Sequence, residues 1–140
     1  MTKQTTTSLK LPRGLRYNPY DHADALGITV IHRPIRTANG MWLPDHNLIV
    51  LKTGMRVLHD RTTLAHELAH ATLGHQGSTP KNELAADRYA GELLVDPREV
   101  EQTISGVSDL PSLALELQVS ERVLRAWFER RTGLAQPFVA

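Results

Sequence analysis

The pattern of apolar and polar positions divides the chain into a strand-forming first part and a helical second part. Short runs rich in β-branched and apolar residues, at positions 28–31, 41–43 and 47–51, are typical of strands and are separated by turn residues. After Gly54 the apolar residues recur at helical spacing. The pattern predicts a mainly helical α+β fold with a small antiparallel sheet of about three strands.

Capping residues and prolines indicate where the helices begin. Suitable N-caps are Asn18, Asp60, Thr79, Asp96 and Ser120. Helices are therefore predicted at 18–26, 61–73, 79–95, from 96 onward, at 110–117 and at 120–131. Pro44 would place the second strand on an edge of the sheet. The polar, threonine-rich residues 1–12 are predicted to be a flexible lead-in to a single domain at 13–140.

Length and composition narrow the class of protein. A chain of 140 residues with a formal net charge of +1 fits one globular domain, and argues against nucleic-acid binding through the overall field. The absence of cysteine excludes disulfides and thiolate metal ligands. No apolar run is long enough to cross a membrane, and no secretory signal is visible behind Lys3. We therefore expect a soluble, cytoplasmic protein.

Segment 63–73 contains the pattern H-E-x-x-H, formed by His66, Glu67 and His70. At 3.6 residues per turn the two histidines lie about 40° apart on one helix face, so both imidazoles can reach one ion. Glu67 lies about 100° from His66, where it can hold a water molecule rather than join the ligands. Because the flanking positions are apolar, the helix is expected to be buried, and burying these groups without partners would be costly. The segment predicts a zinc site with a catalytic glutamate.

A catalytic zinc ion bound by two histidines and a water molecule needs a third protein ligand. The metzincin pattern would require histidine at position 76, which is Gln76, and is therefore excluded. The next helix offers Glu83 and Asp87 on one face, while positions 84, 85, 89, 93 and 94 are available for packing. Glu83 is favoured as the ligand, because its side chain is longer and lies at the helix end nearest His70. Asp87 is then expected to accept the free ring N–H of a ligand histidine, and it is the alternative ligand.

These residues resemble the signature of the ImmA/IrrE metallopeptidases over about residues 55–130. In that family H-E-x-x-H is followed by E-x-x-A, Asp or Asn, x-F-A-x-x-L-L and a proline. The corresponding run here begins at Glu83, with Tyr89 in place of phenylalanine and the proline delayed to Pro97. The resemblance implies a zincin-like domain of the gluzincin kind, with its small sheet packed on the motif helix.

Carried over residue by residue, the resemblance makes His66, His70 and Glu83 the zinc ligands and Glu67 the general base. Members of the family are often encoded by mobile elements or beside a partner regulator, and cleave a helix-turn-helix repressor. The resemblance thus implies a zinc metallo-endopeptidase that acts on a protein regulator of a mobile element or stress response. The alternative is a non-hydrolytic protein that binds a repressor or DNA, which has no need of the intact Glu67.

Two further residues are weighed for a role in the site. His75 is a candidate for contact with the transition state or the substrate, against the simpler interpretation of a solvated loop histidine. Tyr89 is a candidate for a similar contact, against packing in the core. The edge strand at 41–43 is a hypothetical holder of an extended substrate.

Residues 108–132 resemble a helix-turn-helix pair. Arg122, Arg125, Arg130 and Arg131 would read DNA in that case. Gln118 stands where glycine is usual, and Glu121 and Glu129 dilute the positive charge. Packing or partner docking is therefore favoured over DNA binding, and Trp127 and Phe128 are expected in the core.

Overall fold

The computed structural model describes residues 11–138. Its helices are α1 (Pro19–Ala25), α2 (Val57–Leu73), α3 (Pro80–Leu94), α4 (Pro97–Thr103), α5 (Leu110–Leu117) and α6 (Glu121–Thr132). Its strands are β1 (Thr29–Arg33), β2 (Gly40–Leu43) and β3 (Leu48–Lys52). The mainly helical α+β fold is confirmed. Among the helices of this described part, none is long and apolar enough to cross a membrane.

The sheet is mixed, so the prediction of a wholly antiparallel sheet is wrong for one strand. β3 lies in the middle, antiparallel to β2 and parallel to β1. Burial explains this order, because Ile49, Val50 and Leu51 are at most 7% exposed and a strand covered on both faces takes a central position. β2 is an edge strand, as Pro44 predicted.

Most of the predicted helix starts are confirmed. The side chains of Asn18, Thr79, Asp96 and Ser120 each accept a hydrogen bond from a backbone N–H of the helix that follows. Asp60 is the exception, because α2 already begins at Val57 and includes it. Its carboxylate instead accepts from the Tyr20 hydroxyl and lies 2.8 Å from Nε2 of His32. These contacts tie α1 and β1 to the first turn of the motif helix.

Helix α2 is enclosed between the sheet and the other helices. On the sheet side, Leu64 and Leu68 form a small core with Ile49 and Leu51. On the other side, Ala65 joins a larger core that α3, α5 and α6 build. The segment 64–70 is buried throughout, including its two histidines and its glutamate.

The packing face of α3 differs from the prediction. Its buried residues are Ala86, Asp87, Ala90, Gly91 and Leu94. Leu84, expected to pack, is 40% exposed, and Tyr89 is only partly buried. The reason is close helix packing, since a Cβ added at Gly91 would lie 3.3 Å from the Cβ of Trp127 on α6. Gly91 therefore lets α3 approach α6 closely, while the predicted packing of Leu93 and Leu94 is confirmed, because both contact the larger core.

Hydrogen bonds attach the α5–α6 pair to α2. Arg61 donates to the carbonyl of Gln118 at 2.7 Å, and the backbone N–H of Ser120 donates to Oγ1 of Thr62 at 3.2 Å. Gln118 adopts the left-handed conformation, with φ of 55°, that glycine usually takes in such turns. The pair is thus part of the compact fold.

Two predictions concern the ends of the domain. Trp127 and Phe128 are buried in the larger core, as expected. The predicted lead-in, residues 1–12, lies outside the described residues up to position 10, and Leu11 packs against the larger core.

Candidate metal centre

Three side chains from α2 and α3 converge at one point. Nε2 of His66 lies 3.1 Å from Nε2 of His70, because residues four apart share a helix face. The carboxylate of Glu83, on α3, places one oxygen 3.1 Å from Nε2 of His66 and the other 2.7 Å from Nε2 of His70. The structure therefore brings together the three residues that the sequence suggests as ligands.

Asp87 lies behind this cluster and contacts His66. Its Oδ1 is 2.8 Å from Nδ1 of His66, so the ring donates from Nδ1 and directs the lone pair of Nε2 towards the cluster. Asp87 is 7% exposed and also accepts a hydrogen bond from Arg122 at 3.2 Å. The expected role of Asp87 in fixing a histidine tautomer is compatible with this geometry.

The two remaining candidates lie in different places. Nδ1 of His75 is 2.8 Å from Nδ1 of His70, so His75 contacts the ring nitrogen that faces away from Glu83. Tyr89 does not line the cavities that flank the cluster. Tyr89 is half-buried on α3 and lies near Tyr17, a residue of the larger core. The packing interpretation of Tyr89 is therefore favoured.

Glu67 lies beside the cluster without contacting both histidines as Glu83 does. One of its oxygens and one nitrogen each of His66 and His70 all lie within 4.8 Å of one another. Burial raises the pKa of Glu67 to about 7, with the charge of Glu83 adding to the effect and the charge of His66 opposing it. A carboxyl group with such a pKa can take up and release a proton near neutral pH.

Strand β2 supports Glu67 from the other side. The backbone N–H of Trp42 is near enough to the Glu67 carboxylate to favour its charged form, which partly opposes the effect of burial on the pKa. This close approach depends on Gly40, because a Cβ there would lie 2.7 Å from Cγ2 of Thr63 and 3.2 Å from Cγ of Glu67. The sequence indicated Gly40 only as part of an Asn39-Gly40 turn and Trp42 only as part of the edge strand, although glycine at the start of a strand is also a signal of close backbone approach.

The pKa values of the two histidines are shifted in opposite directions. Burial opposes the charged form of His66, but the hydrogen bond to Asp87 and the charges of Glu67, Asp87 and Glu83 outweigh it and raise its pKa. For His70, burial and the neighbouring His66 charge lower the pKa. Since a ligand histidine must be neutral, we expect metal binding to weaken in acid.

The donor set fits a zinc ion. Two imidazoles and one carboxylate are the ligands of one common type of catalytic zinc site. Ligand atoms about 2.0–2.1 Å from a tetrahedral ion are separated from each other by about 3.3 Å, close to the observed spacing. With Asp87 already orienting His66, the residues can hold such an ion without rearrangement of the helices.

A cleft passes over this cluster along β2. It consists of two cavities of about 380 Å³ and 270 Å³, both lined by Gly40, Glu67 and Glu83. The larger one extends towards the α5–α6 turn, where Arg122 lines it, and the smaller one extends towards His75. The cluster is thus accessible from a groove that runs in two directions.

The position of Arg122 changes the interpretation of the C-terminal helices. Among the four arginines considered for DNA reading, Arg122 contacts Asp87 and lines the cleft, and the guanidinium of Arg131 lies 4.8 Å from the ring centre of Trp127. Sequence reasoning missed the position of Arg122 in the cleft, because no local pattern relates α6 to the motif helix. Two of the four arginines are therefore engaged within the domain.

Comparison with known proteins identifies the family of the chain. The family model described as the IrrE N-terminal-like domain, a peptidase family, matches residues 23–128. The chain belongs to this family. The family assignment confirms the resemblance seen in the two motif helices.

Two relatives carry the name radiation response metalloprotease IrrE. The protein from Deinococcus deserti is 32% identical over 89 residues, which cover 64% of this chain and 29% of that protein. The protein from Deinococcus radiodurans is 30% identical over 99 residues, which cover 71% of this chain and 29% of that protein. The chain thus spans less than a third of the length of these relatives.

A solved structure supports the fold alone. The structure titled Mycobacterium tuberculosis transcriptional regulator superposes with a TM-score of 0.59 at 18% identity. The match covers 79% of this chain and 39% of that one.

Proposed function

We propose that the protein is a zinc-dependent metallo-endopeptidase in which His66, His70 and Glu83 hold the metal. One observation carries the proposal: the two oxygens of Glu83 lie 3.1 Å and 2.7 Å from the Nε2 atoms of the two histidines. The side chain of Glu83 is 39% exposed. Packing alone does not require such a side chain to contact two buried histidines. The family and the names of the two relatives support the same activity.

Glu67 acts as the general base in this proposal. Bound zinc would supply Lewis-acid polarisation of the scissile carbonyl and would acidify a water molecule. Glu67 accepts the proton of the attacking water on its carboxylate and later donates it to the departing amine. The N–H of Trp42 favours the charged form of this carboxylate, and Asp87 accepts the proton on Nδ1 of His66 in a hydrogen bond.

The free edge of β2 supports binding of an extended polypeptide. The carbonyl of Asn39 accepts from the N–H of Lys52 on β3, so alternate residues along β2 direct their backbone groups towards β3. Gly40 therefore directs its N–H and carbonyl outward, along the cleft, and Trp42 directs its carbonyl outward while its N–H faces Glu67. A substrate chain paired with this edge would pass directly over Glu67.

The proposed substrate is a transcriptional regulator with a helix-turn-helix domain, in a stress response or on a mobile element. Its support is the family resemblance together with the radiation-response names of the two relatives. The chain covers 29% of each relative, so this support for the substrate comes from the shared domain only.

The test is incubation of zinc-loaded protein with the regulator encoded beside it. We expect one defined cut with the unaltered protein and none with Glu67→Gln, which keeps the metal ligands. Mass spectrometry of the products identifies the cleaved bond. Equal cleavage by both proteins would overturn the role of Glu67, and no cleavage by either would overturn this choice of substrate.

A further inference from the structure

We infer that a groove beside the catalytic cleft is a specificity subsite that binds a large apolar side chain of the substrate polypeptide. The inference rests on the proposed peptidase function and adds a substrate preference to it. The groove, here the α5–α6 groove, lies between the α5–α6 pair and the start of α2 and has a volume of about 490 Å³. Its apolar floor is formed by Leu58, Pro111, Ala114, Leu115 and Val119.

The groove is continuous with the cleft over the cluster of His66, His70 and Glu83. His59, Ser120 and Arg122 line both the groove and the larger cavity of the cleft. His59 precedes His66 by seven residues on α2, so the two lie on nearly the same helix face about two turns apart. A chain extended along β2 therefore reaches the groove within a few residues of Glu67, since extended chains advance about 3.3 Å per residue.

The groove is fixed in position relative to the same cluster of side chains. The hydrogen bond from Ser120 N–H to Thr62 and the bond from Arg61 to the Gln118 carbonyl join the α5–α6 turn to the motif helix. Val119, in this turn, is completely buried. A subsite held on rigid elements can select a side chain at a fixed distance from the scissile bond.

The chemistry of the lining favours an aliphatic or aromatic side chain as occupant. Leu115 is 49% exposed on α5 without being needed to close the larger core. Covering Leu115, together with the exposed Pro111 and the partly buried Leu58, removes apolar surface from water, which is the main source of affinity for such a side chain. Charged groups, among them Arg56 and Arg122, stand at the rim and can bind the polar backbone of the same segment.

The experiment compares cleavage preferences in a synthetic library of randomised peptides. Zinc-loaded unaltered protein, Leu115→Gln and Leu26→Gln are each incubated with the library, and mass spectrometry records the residues around every cut absent from a Glu67→Gln digest. Leu26 is the matched control, because it is 42% exposed and does not line the groove. We expect large apolar residues to be enriched about tenfold at one position relative to the cut. Leu115→Gln should reduce this enrichment severalfold, and Leu26→Gln should leave it unchanged.

A second measurement does not require activity. In NMR titrations with N-acetyl-L-leucine methylamide, we expect shifts of the backbone amides of Leu115, Val119 and Ser120. The alanine analogue should bind about tenfold more weakly.

The outcomes separate the groove from the peptidase function. Cleavage without an apolar preference, or with a preference that Leu115→Gln leaves intact, would overturn the subsite and leave the peptidase proposal standing. Leucine-derivative titrations that leave the groove amides unshifted would do the same. No cut beyond the Glu67→Gln background would overturn the proposed function, and the subsite with it.

Discussion

The buried carboxyl of Glu67 predicts a pH-dependent stability difference between the metal-free protein and Glu67→Gln. Burial raises the pKa of Glu67 from 4.5 to about 7, so the folded state binds a proton more tightly than the unfolded state does. The stabilisation that the folded state gains by binding this proton is complete below pH 4.5 and is lost as the pH rises through 7. The shift corresponds to about 3 kcal/mol of unfolding free energy, at about 1.4 kcal/mol per unit.

The assay is urea unfolding of both proteins in the presence of a chelator, at several pH values between about 4.5 and 8. Glutamine cannot ionise. The unfolding free energy of Glu67→Gln minus that of the unaltered protein should therefore increase by about 3 kcal/mol as the pH rises across this range. Groups that do not interact with Glu67 titrate equally in both proteins and cancel in the difference, which reports Glu67 together with its effect on the pKa of His66. Glu101→Gln, which removes an exposed carboxylate on α4, measures the effect of losing a negative charge elsewhere. A Glu67→Gln difference that stays constant over the whole range would refute the buried, proton-exchanging state of Glu67.

Three further substitutions test the surroundings of the site. Gly40→Ala should lower the unfolding free energy by about 1–3 kcal/mol, measured in urea, because its Cβ would meet Cγ2 of Thr63 at 2.7 Å. Asp87→Asn should weaken zinc affinity about 10–100-fold in chelator competition, because the carboxylate that accepts from His66 is lost. Arg61→Met should lower the unfolding free energy by about 3 kcal/mol, measured by thermal and urea unfolding, because buried carbonyls lose a charged donor.

Each of these has a matched control. Gly106→Ala adds a Cβ where nothing lies within 4 Å, and should change stability little. Asp24→Asn and Arg16→Met alter exposed residues away from the cleft and should leave zinc affinity and stability near those of the unaltered protein. Equal effects of a substitution and its control would contradict the contact invoked for it.

The parts of the fold that depend on local interactions could be predicted from the sequence. The caps at Asn18, Thr79, Asp96 and Ser120 act within a few residues, and so does the convergence of His66 and His70 on one helix face. Glu83 lies beside the two histidines for a related reason, because a short loop returns α3 alongside α2.

Features that depend on tertiary packing could not be read in the same way. The Asn39-Gly40 turn suggested a hairpin, but β1 pairs in parallel with β3 because the three apolar residues at 49–51 require a central position. The start of α2 extends beyond Asp60, whose carboxylate is taken up by contacts from α1 and β1. Arg122 reaches Asp87 across 35 residues of sequence, a contact that no motif encodes.

The central claim is that Glu83 completes a zinc site with His66 and His70. The most direct test is the zinc content of purified protein after dialysis, compared with Glu83→Ala and with Glu92→Ala. Glu92 lies on the same helix with a similar side-chain exposure, 36% against 39%, and contacts Arg13 instead of the cluster. We predict one zinc ion per chain in the unaltered protein and in Glu92→Ala, and little in Glu83→Ala. Undiminished zinc in Glu83→Ala would contradict the assignment and make Asp87 the candidate ligand.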